Sequence, residues 1–261
     1  MNFIEAINKR HSVRKYINKP VEEIVFNNLD KFISNTPRLY NDIDMKIYVV
    51  RHGEKIHKIS KGIIGSYGKI KAPHYLIVTS EEKEGYLENI GFVLEKIVLQ
   101  LTMLNIATCW IGGFIKKELL DSIIEIPKNH KPTIVIAFGY GKEGNDIINK
   151  ISKGYKRKSM GEFASGNFDG EWIDILEMIR KAPSAMNFQP WRLFKNENEI
   201  DLYIVKRNFI GKKLEVLNRI DAGIALCHLN IGGEIFNKKL DFKKLKGKEK
   251  ENLNYVISAI E

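Results

Sequence analysis

The ten residues from Ala182 to Trp191 read APSAMNFQPW, and near the start of the chain Arg10 to Arg14 read RHSVR. Neither string has the periodicity of a packed helix or strand. The first sets Ser184, Asn187 and Gln189 among prolines and a tryptophan, which suits a rigid loop that hydrogen-bonds a flat polar ligand. The second flanks Ser12 with two guanidinium groups, suited to gripping a phosphate through paired charge-assisted hydrogen bonds. A phosphorylated, planar cofactor would satisfy both. Each piece also has a plainer reading. Two arginines near a serine make a surface salt-bridge cluster as readily as a phosphate site. Asn187 and Gln189 can cap a turn, and Trp191 can be core.

The elements that must position these strings follow from apolar spacing. Phe3, Ile4 and Ile7 predict a short helix ending before Arg10. Pro20, Glu22 and Glu23 open a second, proline and acids in its first turn, with an apolar face of Ile24, Leu29, Phe32 and Ile33 and a stop at Ser34 to Pro37. Strands are predicted at Met45 to Val50, Tyr75 to Thr79, Ala107 to Ile111 and Thr133 to Phe138. Between them run a long apolar helix from Tyr86 to Leu104, a break at Gly112-Gly113 that needs no function to explain it, and a helix from Lys117 to Ile124. From Gly139 to Asp169, glycine, serine and basic residues read as a crossing loop.

The same order then returns. A helix from Trp172 to Lys181 ends in a proline loop, and a hairpin joins Arg192 to Lys195 with Leu202 to Val205. The helix IDAGIALCHLNIGGEIF (Ile220 to Phe236) echoes Ile90 to Leu104, and YVISAI (Tyr255 to Ile260) echoes TIVIAF (Thr133 to Phe138). Two diverged copies of one α+β unit fused in tandem are expected, residues 1–160 and 161–261, each a mostly antiparallel sheet with a central core helix.

Composition bounds the function classes. The 261 residues can bury a substantial core, and the formal charge of +10 attracts any polyanion. The lysines are nevertheless spread along the chain. The densest run, KKLKGKEK at Lys243 to Lys250, lacks interleaved aromatics and reads as a solvated surface, so no nucleic-acid partner is expected. No apolar run approaches the roughly 18 residues of a membrane span, and the N-terminus lacks a secretion signal, which points to a cytoplasmic protein without a membrane partner. Cys109 and Cys227 are too few for a disulfide framework and read as buried small apolar residues. The histidines show no ligand spacing, and Cys227-His228, adjacent on a helix, diverge in direction, so no metal is expected. Gly139 to Gly144 fits G-x-G-x-x-G after a strand, but no amphipathic helix follows within a βαβ unit, so the dinucleotide fingerprint is set aside.

RHSVRKY at Arg10, APSAMNFQPW at Ala182 and ATCWIGGF at Ala107 together resemble three motifs of the nitroreductase-like family of flavin enzymes, and the resemblance spans nearly the whole chain. In that family a homodimer holds each FMN with the first and third motifs of one subunit and the proline-serine-asparagine loop of the other. Here the motifs are divided between two halves of one chain. The first half has only Thr36-Pro37-Arg38-Leu39-Tyr40-Asn41 at its loop position, and the second lacks RHSVR and WIGGF. The resemblance is therefore to the fused, pseudo-dimeric branch, and implies a monomer with one sound FMN site and one degenerate one. It implies that Arg10, His11 and Ser12 hold the phosphate and ribityl chain, and that Arg14 approaches the pyrimidine edge. It also implies that Ile111, Gly112 and Gly113 bring backbone to the ring, that Pro183, Ser184, Ala185 and Asn187 line it with Gln189 supporting the loop, and that Arg157 adds to the phosphate grip. The implied activity is hydride transfer from NAD(P)H through FMN to a small electron-poor acceptor such as a nitroaromatic, quinone or enone. A flavin-binding protein without reductase turnover would share every motif. The acceptor pocket is expected in variable loops, residues 51–71 and 209–217.

Overall fold

The computed structural model describes residues 1–59, 70–112, 117–142, 156–206 and 212–261, with backbone alone at 212 and 213. Two compact units emerge, Met1–Tyr86 with Lys96–Lys150, and Leu87–Glu95 with Ile151–Glu261.

In the first unit, α1 (Phe3–Lys9) starts at a capping box in which Asn2 Oδ1 accepts from Glu5 N and the Glu5 carboxylate accepts from Asn2 N. It stops at Arg10, whose ψ of 123° leaves the helix. Helix α2 (Glu23–Asn35) ends where Thr36-Pro37 predicts. Its buried face is Val25, Phe26 and Leu29, and Ile24 is 59% exposed, which corrects the expected face. Val25 and Leu29 stand one helical turn apart and fix the inward side, from which Ile24 is rotated away. Pro20 precedes the helix and lies outside its first turn.

Strands β1 (Met45–Val50), β2 (His74–Ser80), β3 (Ala107–Ile111) and β4 (Lys131–Gly139) form an antiparallel sheet in the order β1-β2-β4-β3. β2 is buried at every position, as expected of an apolar run without alternation. Short helices α3 (Glu54–Ile59) and α5 (Lys117–Leu120) flank it. The latter is shorter than the predicted Lys117 to Ile124. Its last turn tightens as Ile123 N and Ile124 N both converge on Leu120 O, and the Ser122 hydroxyl donates to Leu119 O. Helix α4 (Tyr86–Met103) carries apolar residues on nearly all sides and is correspondingly buried, its residues 87–95 counting with the second unit.

The second unit contains α6 (Met160–Phe163), β5 (Ala164–Gly166), α7 (Glu171–Arg180), β6 (Trp191–Asn196), β7 (Glu199–Val205), α8 (Lys212–Ile235), β8 (Asp241–Lys243) and β9 (Leu253–Ile260). The strand order is β5-β6-β7-β9-β8, antiparallel except for the parallel β5-β6 pair. Strand for strand, β6-β7-β9-β8 repeats β1-β2-β4-β3. The α+β fold with a repeated, mostly antiparallel unit is thereby established. Part of the predicted crossing loop is ordered instead. Ser159 and Glu162 form a capping box for α6, and β5, an Ala-Ser-Gly segment with no strand pattern, takes its conformation from the edge of β6. The lysine run also departs from a simple solvated surface, because Lys248 pairs with Glu199 and with Asp201, whose carboxylate is buried.

Within this unit the α4 segment 87–95 crosses α8 at two glycines. A Cβ on Gly91 would fall 2.0 Å from Ile220 O, and one on Gly223 would fall 2.0 Å from Glu88 O. The two contacts are reciprocal, each glycine meeting the carbonyl three residues before the other, so a local two-fold relates the helices. His228 Nδ1 lies 2.8 Å from Met178 O and its Nε2 3.1 Å from Glu95 Oε1, both side chains being fully buried. The Cys227-His228 pair thus serves helix packing. Among the described residues no helix is long and apolar enough to cross a membrane.

Candidate functional site

In the first unit the RHSVR string becomes a partial strand on the open edge of β3. Ser12 forms a parallel bridge with Thr108, and Val13 N donates to Thr108 O at 3.0 Å. Further along, Tyr16 bridges Gly141, Ile17 N donates to Tyr140 O at 3.0 Å, and Lys142 N donates to Lys15 O at 3.0 Å. The pairing explains why the string has no internal periodicity, since its backbone is satisfied by a neighbour distant in sequence. Two glycines of the G-x-G-x-x-G pattern lie beside this pairing. Gly139 has φ +154° and lies where a Cβ would meet Pro73 Cγ at 2.5 Å, and Gly141 packs beside Val13. Residues 143 and 144 of that pattern lie outside the described residues.

This arrangement brings RHSVR and Ala107 to Gly112 side by side. Ile111 is buried on β3 opposite Val135, and Gly112, half-buried, follows it; Gly113 lies outside the described residues. Arg14 is exposed, its Nη1 3.4 Å from Ser12 O, and Arg10 is half-buried at the end of α1. His11 Nδ1 stands 3.1 Å from Lys9 O, tied to the α1 terminus. Burial pushes the Cys109 thiol up to about 11, while the Arg14 and Arg10 charges pull the other way, so both guanidinium groups act on the middle of β3. Burial likewise holds Tyr16 well above the ordinary phenol value, and its hydroxyl donates to Ala137 O.

In the second unit, residues 183–189 form a loop. Ser184 is extended, Ala185–Asn187 make one 3-10 turn, and Met186, Asn187 and Gln189 all have left-handed φ of 51°, 58° and 47°. Asn accepts that region readily, but methionine does not, so the loop holds strain that its surroundings must offset. Arg157 supplies part of the brace, its Nη1 donating to Ala182 O at 2.8 Å and to Asn187 Oδ1 at 3.0 Å, and its Nη2 to Lys181 O at 3.1 Å. Asn187 Nδ2 donates to Lys156 O at 3.0 Å. Gln189, almost fully buried, accepts from Lys158 N and donates to Asn187 O, while its own N–H reaches Ser184 Oγ at 2.9 Å. Both carboxamides therefore cap the turn, and Trp191 is core at 0% exposure. These plainer readings hold for the side chains, and the loop they build presents Pro183, Ser184 and Ala185 at its rim, each half-exposed apart from the alanine's engaged N–H.

Sequence reasoning missed Asp221. Its carboxyl, on α8, accepts the Ala185 N–H at 3.1 Å and 3.0 Å from the two oxygens. The available signal was a lone acid inside the apolar run IDAGIAL, at a helix position where charge is rare.

A family described as "Putative TM nitroreductase" matches residues 2–233. The chain belongs to this nitroreductase family. A Thermotoga maritima structure described as "a putative nitroreductase" shares the fold over 100% of this chain and 94% of its own, with TM-score 0.65 and 24% identity. A nitroreductase family protein from Streptococcus pneumoniae matches 62% of this chain and 98% of its own, with TM-score 0.51 and 20% identity. A Methanothermobacter thermautotrophicus protein named "Putative NADH dehydrogenase/NAD(P)H nitroreductase" is 28% identical over 154 residues, 55% of this chain and 79% of its own length. An Archaeoglobus fulgidus protein of the same name is 22% identical over 153 residues, 55% of this chain and 88% of its own length. Membership of the nitroreductase family places the chain among nitroreductase-type oxidoreductases, and the relatives match over about half of it.

Proposed function

We propose that the chain is an FMN-dependent NAD(P)H oxidoreductase. The observation that carries this reading is the Ser12–Thr108 bridge, because it sets a serine between two arginines beside the strand that leads through Ile111 to Gly112. The donor set fits the group. Arg10, His11 and Ser12 offer guanidinium, imidazole and hydroxyl donors to a phosphate dianion, a group that a guanidinium matches well. Ile111 and Gly112 supply backbone at the ring, and the missing Cβ of Gly112 permits close approach. Pro183, Ser184, Ala185 and Asn187 supply a polar rim, kept in shape by Gln189 and Arg157.

When bound, FMN would supply hydride transfer from NAD(P)H to a small electron-poor acceptor, such as a nitroaromatic, quinone or enone, in a ping-pong cycle. The protein's part is placement and charge. Arg14 at the pyrimidine edge stabilises added electron density, and the loop fixes the ring's orientation. The chain acts as a monomer, since it encodes both sets of contacts.

The test is the absorbance spectrum of purified protein with FMN, before and after anaerobic NADPH or NADH. A yellow protein that bleaches is the expected result. Colourless protein that refuses FMN overturns the proposal, and yellow protein that never bleaches leaves a flavin-binding protein without reductase turnover.

A further inference from the structure

Asp221 is 4% exposed, and among the described residues its one hydrogen-bond donor is the Ala185 N–H, shared between both carboxylate oxygens. A carboxylate has about four acceptor directions, so one shared N–H is poor compensation for its burial. Burial accordingly pushes Asp221 well above the ordinary carboxylate range, with the Ala185 bond opposing only in part. An apolar residue would pack there more easily.

The geometry at the other end of the bond supplies a reason for the acid. Ser184 precedes the 3-10 turn, yet its side chain makes no cap, so the N–H that opens the turn is met from another element. Directly after Ala185 come two consecutive left-handed residues, Met186 and Asn187. Arg157 and Gln189 hold the carbonyls and carboxamide of the loop, and Asp221 holds its entering N–H. The anchor itself is rigid, because Ile220 O and Gly223 on either side of Asp221 sit in the close crossing with α4.

We propose that Asp221 is a positioning residue for the cofactor loop, pinning Ala185 so that the following left-handed turn presents residues 183–187 in one fixed shape. The inference rests on the flavin reading of that loop for its functional meaning.

The test uses full-length Asp221→Asn, which keeps an acceptor oxygen, and Asp221→Ala, which removes it. Two readouts are taken: amide hydrogen exchange at residues 184–187 in flavin-free protein, and the FMN dissociation constant from flavin fluorescence. The alanine variant is expected to speed exchange at Ala185 at least tenfold and to weaken FMN at least tenfold. The asparagine variant is expected to stay within threefold of wild type on both. Should the alanine variant fail to fold, Ala185→Pro removes the donor instead. Ser184 already has the extended backbone that a following proline requires, and faster exchange at Asn187 is then expected. Exchange within twofold of wild type in the folded alanine or proline variant overturns the proposal, as does an asparagine variant as loose as alanine. If wild type takes up no FMN, the flavin reading fails while the exchange arm still decides the role of Asp221.

Discussion

Arg157 Nη1 donates to Asn187 Oδ1 at 3.0 Å while the same guanidinium holds the carbonyls of Lys181 and Ala182. A residue that family resemblance assigns to a phosphate is thus bound to the loop that would face the ring. Arg157→Ala is therefore expected to weaken FMN and riboflavin alike, by roughly tenfold for the loss of charge-assisted bonds. Arg157→Lys should do little better, since an ammonium cannot span three acceptors in a plane. Arg10→Ala should weaken FMN and spare riboflavin. Fluorescence titrations with both flavins check this; an Arg157→Ala protein that loses only FMN would restore the phosphate role.

The reciprocal crossing of Gly91 and Gly223 predicts matched instability. Glycine to alanine in an open helix gains about 1 kcal/mol. Here each new methyl would lie 2.0 Å from a carbonyl oxygen. Gly91→Ala and Gly223→Ala should each cost on the order of 3 kcal/mol or more, with similar values, in urea unfolding. A stabilised variant would show that the helices are not in backbone contact.

His74 makes stability depend on pH. Its Nε2 accepts from Val21 N at 2.9 Å, and Nδ1 donates to Arg51 O at 2.6 Å, so the ring is held neutral in one tautomer. Burial lowers its pKa from 6.5, the Arg51 carbonyl opposing, and burial lowers that of His57 too. A depressed folded-state value means that the unfolded chain takes up the proton first. Stability is then whole above 6.5 and declines as pH falls from there through the folded-state values. Denaturation curves between pH 7 and 5 should show this decline, and His74→Gln should flatten it while lowering stability at pH 7.

Neither thiol should react in the native protein. Cys109 is pushed up to about 11 by burial, and Cys227 is fully buried. A disulfide reagent at pH 8 is expected to titrate both only after unfolding. Rapid labelling of one thiol in folded protein would show that β3 or α8 opens locally.

Where apolar spacing was strong, element type and position were legible in the residues. The predicted β1 and β3 match the structure end to end, and α4 ends within one residue of its predicted stop. Segments whose conformation comes from a neighbour were not legible. Ala164–Gly166 is a strand because β6 offers an edge, and residues 12–17 pair with Thr108 and Tyr140–Lys142 although nothing local requires it. Site residue types were legible, but the partition between ligand contact and scaffold was not. Asn187, Gln189 and Arg157 have the same hydrogen-bonding chemistry whether they face a cofactor or one another.

The order of residues alone determined that two related α+β units follow one another and that the polar strings lie between elements, because hydrophobic period and turn chemistry are local properties. Tertiary structure alone decided that Ser12 meets Thr108, that Arg157 and Asp221 brace the 183–189 loop, and that two glycines bring helix backbones together. Those outcomes depend on which groups remain unsatisfied when distant segments meet, a quantity that no local stretch of chain contains.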